Sequence, residues 1–141
     1  IINQVDLIEK FYKKKFNKKP NIAITGLNPH CESNYKSSEE KRIIAPAIKY
    51  LSKNRYKIKG PFAADTVFTK ENLKSFDVII GMYHDQVLTP VKTLFGFDAI
   101  NITLGLPFIR ISPDHGPNIT MLGKNLSNPQ SLIKALKFLD K

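Results

Sequence analysis

The residues able to do chemistry concentrate in one stretch, Gly81 to Gly116. It holds two of the three histidines with Asp85, Lys92, Asn101, Arg110 and Asp114, set among apolar runs. Just before it, Phe76 to Ile80 (FDVII) reads as a buried strand, whose end at Gly81 puts Tyr83-His84-Asp85 where a strand meets a loop. Ligands of open α/β sheets bind at the carboxyl ends of strands. Imidazole is a metal ligand and proton carrier, and a carboxylate beside it orients the ring. A lone histidine in such a place is ordinarily a hydrogen-bonded loop residue. Here His30 also closely follows an apolar strand, and two such placements favour a metal or proton-transfer site.

The 141 residues have the length of one domain and an ordinary hydrophobic content of 42%. A single cysteine excludes an internal disulfide framework and fits a reducing cytoplasm. No apolar run approaches the roughly 20 residues of a membrane helix, and no signal peptide is read, so no membrane partner is expected. The formal net charge of +10 raises the question of nucleic acid. Lysines such as Lys13-Lys14-Lys15 and Lys18-Lys19 fall on what read as outer helix faces and loops, and no zinc-finger, RNA-recognition or helix-turn-helix pattern accompanies them. The charge reads as a solvated surface with no nucleic-acid partner, and it suits an anionic substrate.

The elements that must position these residues follow from apolar spacing. A helix is predicted from about Asn3 to Phe16 and a short buried strand from Asn21 to Thr25. A helix feeding a strand so soon looks like the middle of an α/β domain, as in a piece of a longer protein. Gly26 to His30 (GLNPH) then turns the chain and leaves His30 at the sheet's rim. Cys31 beside it raises a thiol nucleophile or metal ligand, although without a second cysteine it reads as a bystander. Ser37 and Glu40 match a capping box for a helix running to about Asn54. Tyr56 to Lys59 reads as a strand stopping at Gly60-Pro61. Asp65 follows at a strand end or tight loop, placed either to approach a metal or to cap the next turn.

A short helix is predicted from Glu71 to Phe76, and another from Gln86 to Phe95 with Lys92 about two turns beyond His84. Asp98 to Leu104 reads as a strand with Asn101 in its middle. Arg110, between Ile109 and Ile111, predicts a buried or half-buried guanidinium paired with a carboxylate or phosphate. Asn128-Pro129 starts a last helix with Pro at its first position, packing through Leu132, Ile133, Leu136 and Leu139. No G-x-G-x-x-G fingerprint is present.

Taken in order, GLNPH, GPFAADTVF, MYHDQVLTPVK, NITLGLPFIR and DHG resemble the 4-hydroxythreonine-4-phosphate dehydrogenase family of vitamin B6 synthesis, over nearly the whole chain. The resemblance is to that enzyme's C-terminal part, with the N-terminal part absent. It implies an α/β fold, the three-layer α/β/α arrangement of the isocitrate and isopropylmalate dehydrogenase type, as the C-terminal portion of a two-domain subunit. Residues 21–116 would form the metal- and substrate-binding region, and residues 114–141 the nucleotide loop and closing helix. His30 and His84 match the family's metal ligands, a third histidine lying outside this sequence. Lys92, Asn101 and Arg110 match substrate-binding residues, and Asp65 and Asp85 match acidic residues beside the metal, with Asp85, Asp65 and Lys92 as the catalytic set. The segment HGPNITMLGKNLSNPQSLIKAL resembles the nucleotide loop of the wider fold, implying His115, Gly116 and Asn118 as cofactor contacts, with Pro117-Asn118 replacing the usual small pair. After His30 the family carries a glycine- and glutamate-rich loop; this chain has Cys31-Glu32-Ser33-Asn34-Tyr35.

The implied reaction is NAD- or NADP-dependent oxidation and decarboxylation of 4-phosphohydroxy-L-threonine. It needs a divalent metal: zinc first, with cobalt, manganese and magnesium as alternatives. The family implies a cytoplasmic homodimer with the active site at the subunit interface, the 141-residue piece alone being inactive. Two other readings stay open. One is a related dehydrogenase for a phosphorylated sugar acid or an aromatic cis-diol; the other is a noncatalytic basic binding module.

Overall fold

The computed structural model describes residues 1–31, 36–117 and 119–140. They form a mixed α/β chain of two compact units, Ile1–Leu88 and Thr89–Lys141.

In the first unit, β1 (Ile22–Thr25) lies between β2 (Ile58–Phe62) and β3 (Val78–Ile80), parallel to both. All four residues of β1 are buried, as the unbroken run Ile-Ala-Ile-Thr requires of a strand covered on both faces. Ile22 and Ile24 alternate onto one face. There they join Val5 of α1 (Ile2–Phe16), Ile48 and Leu51 of α2 (Ala45–Lys53), Ile44 and Ile58 in the core. Each fully buried aliphatic side chain of this kind contributes about 1.5–3 kcal/mol.

Three local departures from the sequence reading matter here. Ser38, not Ser37, accepts the first helical bond, from the Lys41 N–H at 3.3 Å. Glu40 does not reach back as a capping-box partner; it stands at the start of a π-helical turn, Glu40–Ile44, and is buried. The extra residue in a π turn changes the direction in which its side chains project. Pro46 follows at the start of α2, directly after the π turn. Third, β2 does not stop at Gly60-Pro61 but runs through this cis peptide to Phe62. The register against β1 shifts between Ala23 and Thr25, an irregularity of the sort that admits a proline into a ladder.

Asp77 ties the entry of β3 to that of β1. Its N–H donates to the Asn21 carbonyl (2.9 Å), its Oδ2 accepts from the Asn21 N–H (2.8 Å), and its Oδ1 takes the Lys18 ammonium. Its own carbonyl accepts the Tyr12 hydroxyl from α1 at 2.9 Å. Beyond β3, α3 (Lys70–Ser75) having come before it, the chain enters α4 (His84–Phe95). That helix starts two residues ahead of the predicted Gln86, so His84 and Asp85 belong to its first turn.

In the second unit β4 (Ile100–Thr103) and β5 (Arg110–Pro113) pair antiparallel, Asn101 opposite Ser112 and Thr103 opposite Arg110. α5 (Gln130–Leu139) packs on this pair through the buried Ser131 and Ala135. The Ser131 hydroxyl donates to the Ala99 carbonyl (2.6 Å) and accepts the Asp114 N–H (3.1 Å). The predicted packing face is therefore displaced: Leu132, Ile133, Leu136 and Leu139 are 39–54% exposed. Small side chains let the helix approach the hairpin closely, and the leucines project elsewhere. Pro129 occupies the cap position, not the predicted first helical one, which is Gln130, and Asn128 Oδ1 accepts the Gln130 N–H at 2.9 Å.

The Asn21 N–H and the Lys18 ammonium hold the Asp77 carboxyl below the ordinary aspartate range. Its contribution is complete above the unfolded aspartate value of about 4 and disappears as pH falls through the lower native value. Asp77→Asn should therefore lose about 1–3 kcal/mol at neutral pH, with a shallower loss of stability in acid than the parent. Urea midpoints taken from neutral to acid pH on both proteins check this; an unchanged acid slope would contradict it.

Candidate active site

The carboxyl edge of the parallel sheet is where two histidine-bearing loops leave neighbouring strands. Ile24 of β1 pairs with Ile80 of β3. From the first strand the chain passes through Gly26 to His30, and from the second through Gly81 to His84. Both loops open on a glycine that has no room for a side chain. A Cβ at Gly26 would stand 2.5 Å from Cys31 Sγ and 3.2 Å from Glu40 Oε1; one at Gly81 would stand 2.7 Å from Val87 Cγ1. Tight loops of this kind keep the histidines close to the strand ends.

Within the first loop, Asn28 Oδ1 accepts the His30 N–H at 2.9 Å, an Asx turn that leaves the imidazole exposed. Glu40 supports the same loop from below. Its Oε1 accepts the Asn28 N–H at 2.7 Å while the residue is only 2% exposed. That bond, with further ones from the Glu40 and Leu27 amides, holds the carboxyl below its ordinary range against the opposing effect of burial. Asp65 lies in the turn after β2. Burial pushes the Cys31 thiol up, and the negative charges of Glu40 and Asp65 add to the shift, against a hydrogen bond from the Gly26 backbone. A thiol kept protonated in this way is a poor nucleophile, which favours the bystander reading. Asp65 thus lies within electrostatic reach of the His30 loop.

Where the second loop enters the first turn of α4, His84 Nδ1 and Asp85 Oδ1 are 2.8 Å apart, both side chains largely exposed. The pair adds little stability at such exposure, but it engages Nδ1 and so orients the ring. Two imidazoles suit zinc or a similar ion. No group of three or more His, Cys, Asp and Glu that could hold a metal ion is gathered among the described residues.

The remaining predicted residues lie in the second unit. Lys92 is exposed in the last turn of α4. Asn101 is exposed on β4. Arg110 is exposed too, not half-buried: at the start of β5, next to the loop, its Ile neighbours do not cover it, and its Nη1 donates to Thr103 Oγ1 directly across the ladder at 2.8 Å. His115 is exposed, its Nδ1 3.3 Å from the Gly116 carbonyl and its ring edge-on to Phe97. Among the described residues nothing lies within 4 Å of a Cβ built on Gly116. Asn118, and Glu32 to Tyr35 of the divergent loop, lie outside the described residues. No helix among the described residues is long and apolar enough to cross a membrane.

Two side chains at this edge escaped the sequence reading. Glu40 looked like a cap, and Gln86 looked like the opening of a helix. Gln86 is 6% exposed and lies under both loops: its Oε1 accepts from Thr25 Oγ1 (2.9 Å) and the Met82 N–H (2.7 Å), and its Nε2 donates to the Gly26 carbonyl (2.7 Å). The only signal in the sequence was their polarity next to glycine-started loops.

Residues 1–139 match the family described as pyridoxal phosphate biosynthetic protein PdxA. The chain belongs to this family. Among its relatives is a 4-hydroxythreonine-4-phosphate dehydrogenase of Sulfurihydrogenibium sp. (strain YO3AOP1), 48% identical over 139 residues, which are 97% of this chain and 42% of that protein. A protein of the same name from Bradyrhizobium diazoefficiens is 45% identical over 97% of this chain and 40% of its own length. The solved 4-hydroxythreonine-4-phosphate dehydrogenase of Klebsiella pneumoniae superposes with a TM-score of 0.77 at 32% identity, covering 95% of this chain and 41% of that one. The one from Burkholderia phymatum gives 0.74 at 34%, covering 96% and 42%. This PdxA-family chain thus spans about two fifths of the length of the curated relatives it matches.

The buried carboxylate makes a specific forecast. Glu40→Ala should leave the Asn28 N–H without its acceptor and cost about 1–3 kcal/mol, with faster hydrogen exchange at Asn28 than in the parent. Glu40→Gln, which keeps an acceptor oxygen, should retain most of the protection. Equal exchange in parent and Glu40→Ala would show that this bond does not hold the loop.

Proposed function

We propose that the chain is the metal- and substrate-binding part of an NAD- or NADP-dependent dehydrogenase that oxidises and decarboxylates 4-phosphohydroxy-L-threonine on the route to pyridoxal 5'-phosphate. The observation that carries this reading is the pair of glycine-started loops bearing His30 and His84 at one edge of adjacent parallel strands, in a member of the PdxA family. The names of the relatives supply the substrate. For the complete subunit we infer the three-layer α/β/α arrangement of the isocitrate and isopropylmalate dehydrogenase type.

In this reading His30 and His84 hold a divalent ion, zinc by preference, with the remaining ligands supplied from outside the described residues. Bound there, the ion is a Lewis acid for the substrate hydroxyl, and the nicotinamide is the hydride acceptor. The chain's own part is orientation and charge. Asp85 fixes the His84 ring through Nδ1, and Asp65 and Asp85 place negative charge beside the site, where a substrate proton can be received. Lys92 and Arg110 take the anionic groups of the substrate, Asn101 offers its amide to a polar one, and His115, Gly116 and Asn118 take the nucleotide. A cytoplasmic homodimer with its active site at the subunit interface belongs to the same proposal. The exposed Leu132, Leu136 and Leu139 support it, since such side chains on one helix suit a protein contact.

The test is a chimera in which this chain replaces the matched part of the Sulfurihydrogenibium relative. It should reduce NAD with 4-phosphohydroxy-L-threonine in the presence of zinc, and His84→Ala should abolish that turnover. Arg110→Lys should cost about 1.5–3 kcal/mol in kcat/KM, because a lysine cannot offer the two-pronged contact. Its melting temperature should move little, since Arg110 is exposed. Turnover preserved in His84→Ala, or activity on a phosphorylated sugar acid or an aromatic cis-diol alone, would overturn the reading.

A further inference from the structure

We propose that Gln86 is a positioning residue that locks the two histidine-bearing loops to each other. No other side chain described at this edge bonds to both. Its Oε1 takes the Met82 N–H from the loop that leads to His84, and its Nε2 reaches the Gly26 carbonyl at the root of the loop that leads to His30. The same Oε1 takes the hydroxyl of Thr25, the last residue of β1. Three hydrogen bonds of 2.7–2.9 Å thus converge on one amide that is 6% exposed.

A buried amide is tolerated only when its polar atoms find partners, and here the partners are backbone and side-chain groups of two separate strand ends. The bonds also fix which end of the amide is oxygen, because Met82 N–H can only donate and the Gly26 carbonyl can only accept. Parallel pairing aligns β1 and β3 as far as Ile24 and Ile80. Past that point the strands make no further ladder bonds, and the Gln86 amide continues the cross-connection by two residues on either side. The side chain comes from α4 itself, two residues after His84, so the helix that carries one histidine is pinned to the strand that delivers the other.

The metal part of the test rests on the proposed function; the distance part does not. Zinc titration of the 141-residue chain by calorimetry is compared across the parent, His84→Ala and Gln86→Leu. As a control serves Ile58→Val, which loses core packing far from the loops. A clamp predicts that Gln86→Leu weakens zinc binding about ten- to a hundredfold, the usual loss when a group that orients metal ligands is removed. Ile58→Val, lowered in melting temperature, should bind as the parent does. In parallel, spin labels on the exposed Leu27 and Tyr83, placed in a Cys31→Ser background, report the separation of the loops; Gln86→Leu should broaden that distance distribution. If Gln86→Leu does not fold, Thr25→Val removes one of the three bonds with the shape retained and should show smaller shifts in the same directions. Parent-like zinc affinity together with a parent-like distance distribution in the variant would overturn the proposal. Zinc binding insensitive to His84→Ala, with the distance distribution still broadened by Gln86→Leu, would refute the metal reading and leave the clamp standing.

Discussion

The parallel pairing of β1 with β2 on one side and β3 on the other is the constraint on which the first unit depends. A four-residue strand with both edges hydrogen-bonded and both faces buried is sensitive to register: a one-residue slip would exchange the two faces, moving Ile22 and Ile24 away from the Val5, Ile44, Ile48 and Leu51 cluster and presenting Ala23 and Thr25 to it. Once that register is set, Gly26 and Gly81 must follow at the same edge. The positions of His30 and His84 are consequences of strand pairing before they are consequences of any side-chain contact.

Polar groups finish what the strands begin. At one end of β1, Asp77 joins the entries of two strands and an α1 tyrosine. At the other end, Glu40 and Gln86 enter the interior to hold loop backbone. Burying a carboxylate or an amide is costly unless each bond is made. An apolar side chain at either position would leave loop amides and carbonyls unpaired, so these residues both stabilise the loops and define their shape. The π-helical turn belongs to the same device, since it is the start of this turn that carries Glu40.

Much of this was legible in the sequence, and the parts that were not have identifiable causes. The run Ile-Ala-Ile-Thr announced a buried strand and FDVII another, although β3 is half-buried; the glycines after each announced loops at strand ends, but that the two strands are neighbours with one common edge came only with their pairing. The family followed from motif order. Glu40 was misread because a Ser-x-x-Glu spacing before an apolar helix has the same letters whether the acid caps the helix or turns inward; only the π turn decides. Gln86 could not be told from a solvated glutamine, because two of its three partners come from residues 60 and 61 positions earlier in the chain. In α5, apolar periodicity located the helix but chose the wrong face. Ser131 and Ala135 pack on the hairpin because they are small, a property that a count of apolar residues overlooks. For Arg110, flanking isoleucines suggested burial, yet at the beginning of β5 they enclose nothing.

The central claim is that the edge formed by β1 and β3 presents His30 and His84 to one divalent ion. Its most direct test is a crystal structure of the zinc-soaked chain with the ion located by anomalous scattering. The prediction is zinc held by His84 Nε2 and a ring nitrogen of His30, each at about 2.0–2.1 Å, with Asp85 still on His84 Nδ1. Zinc found only at Cys31 or away from this edge, with the two imidazoles directed apart, would contradict it.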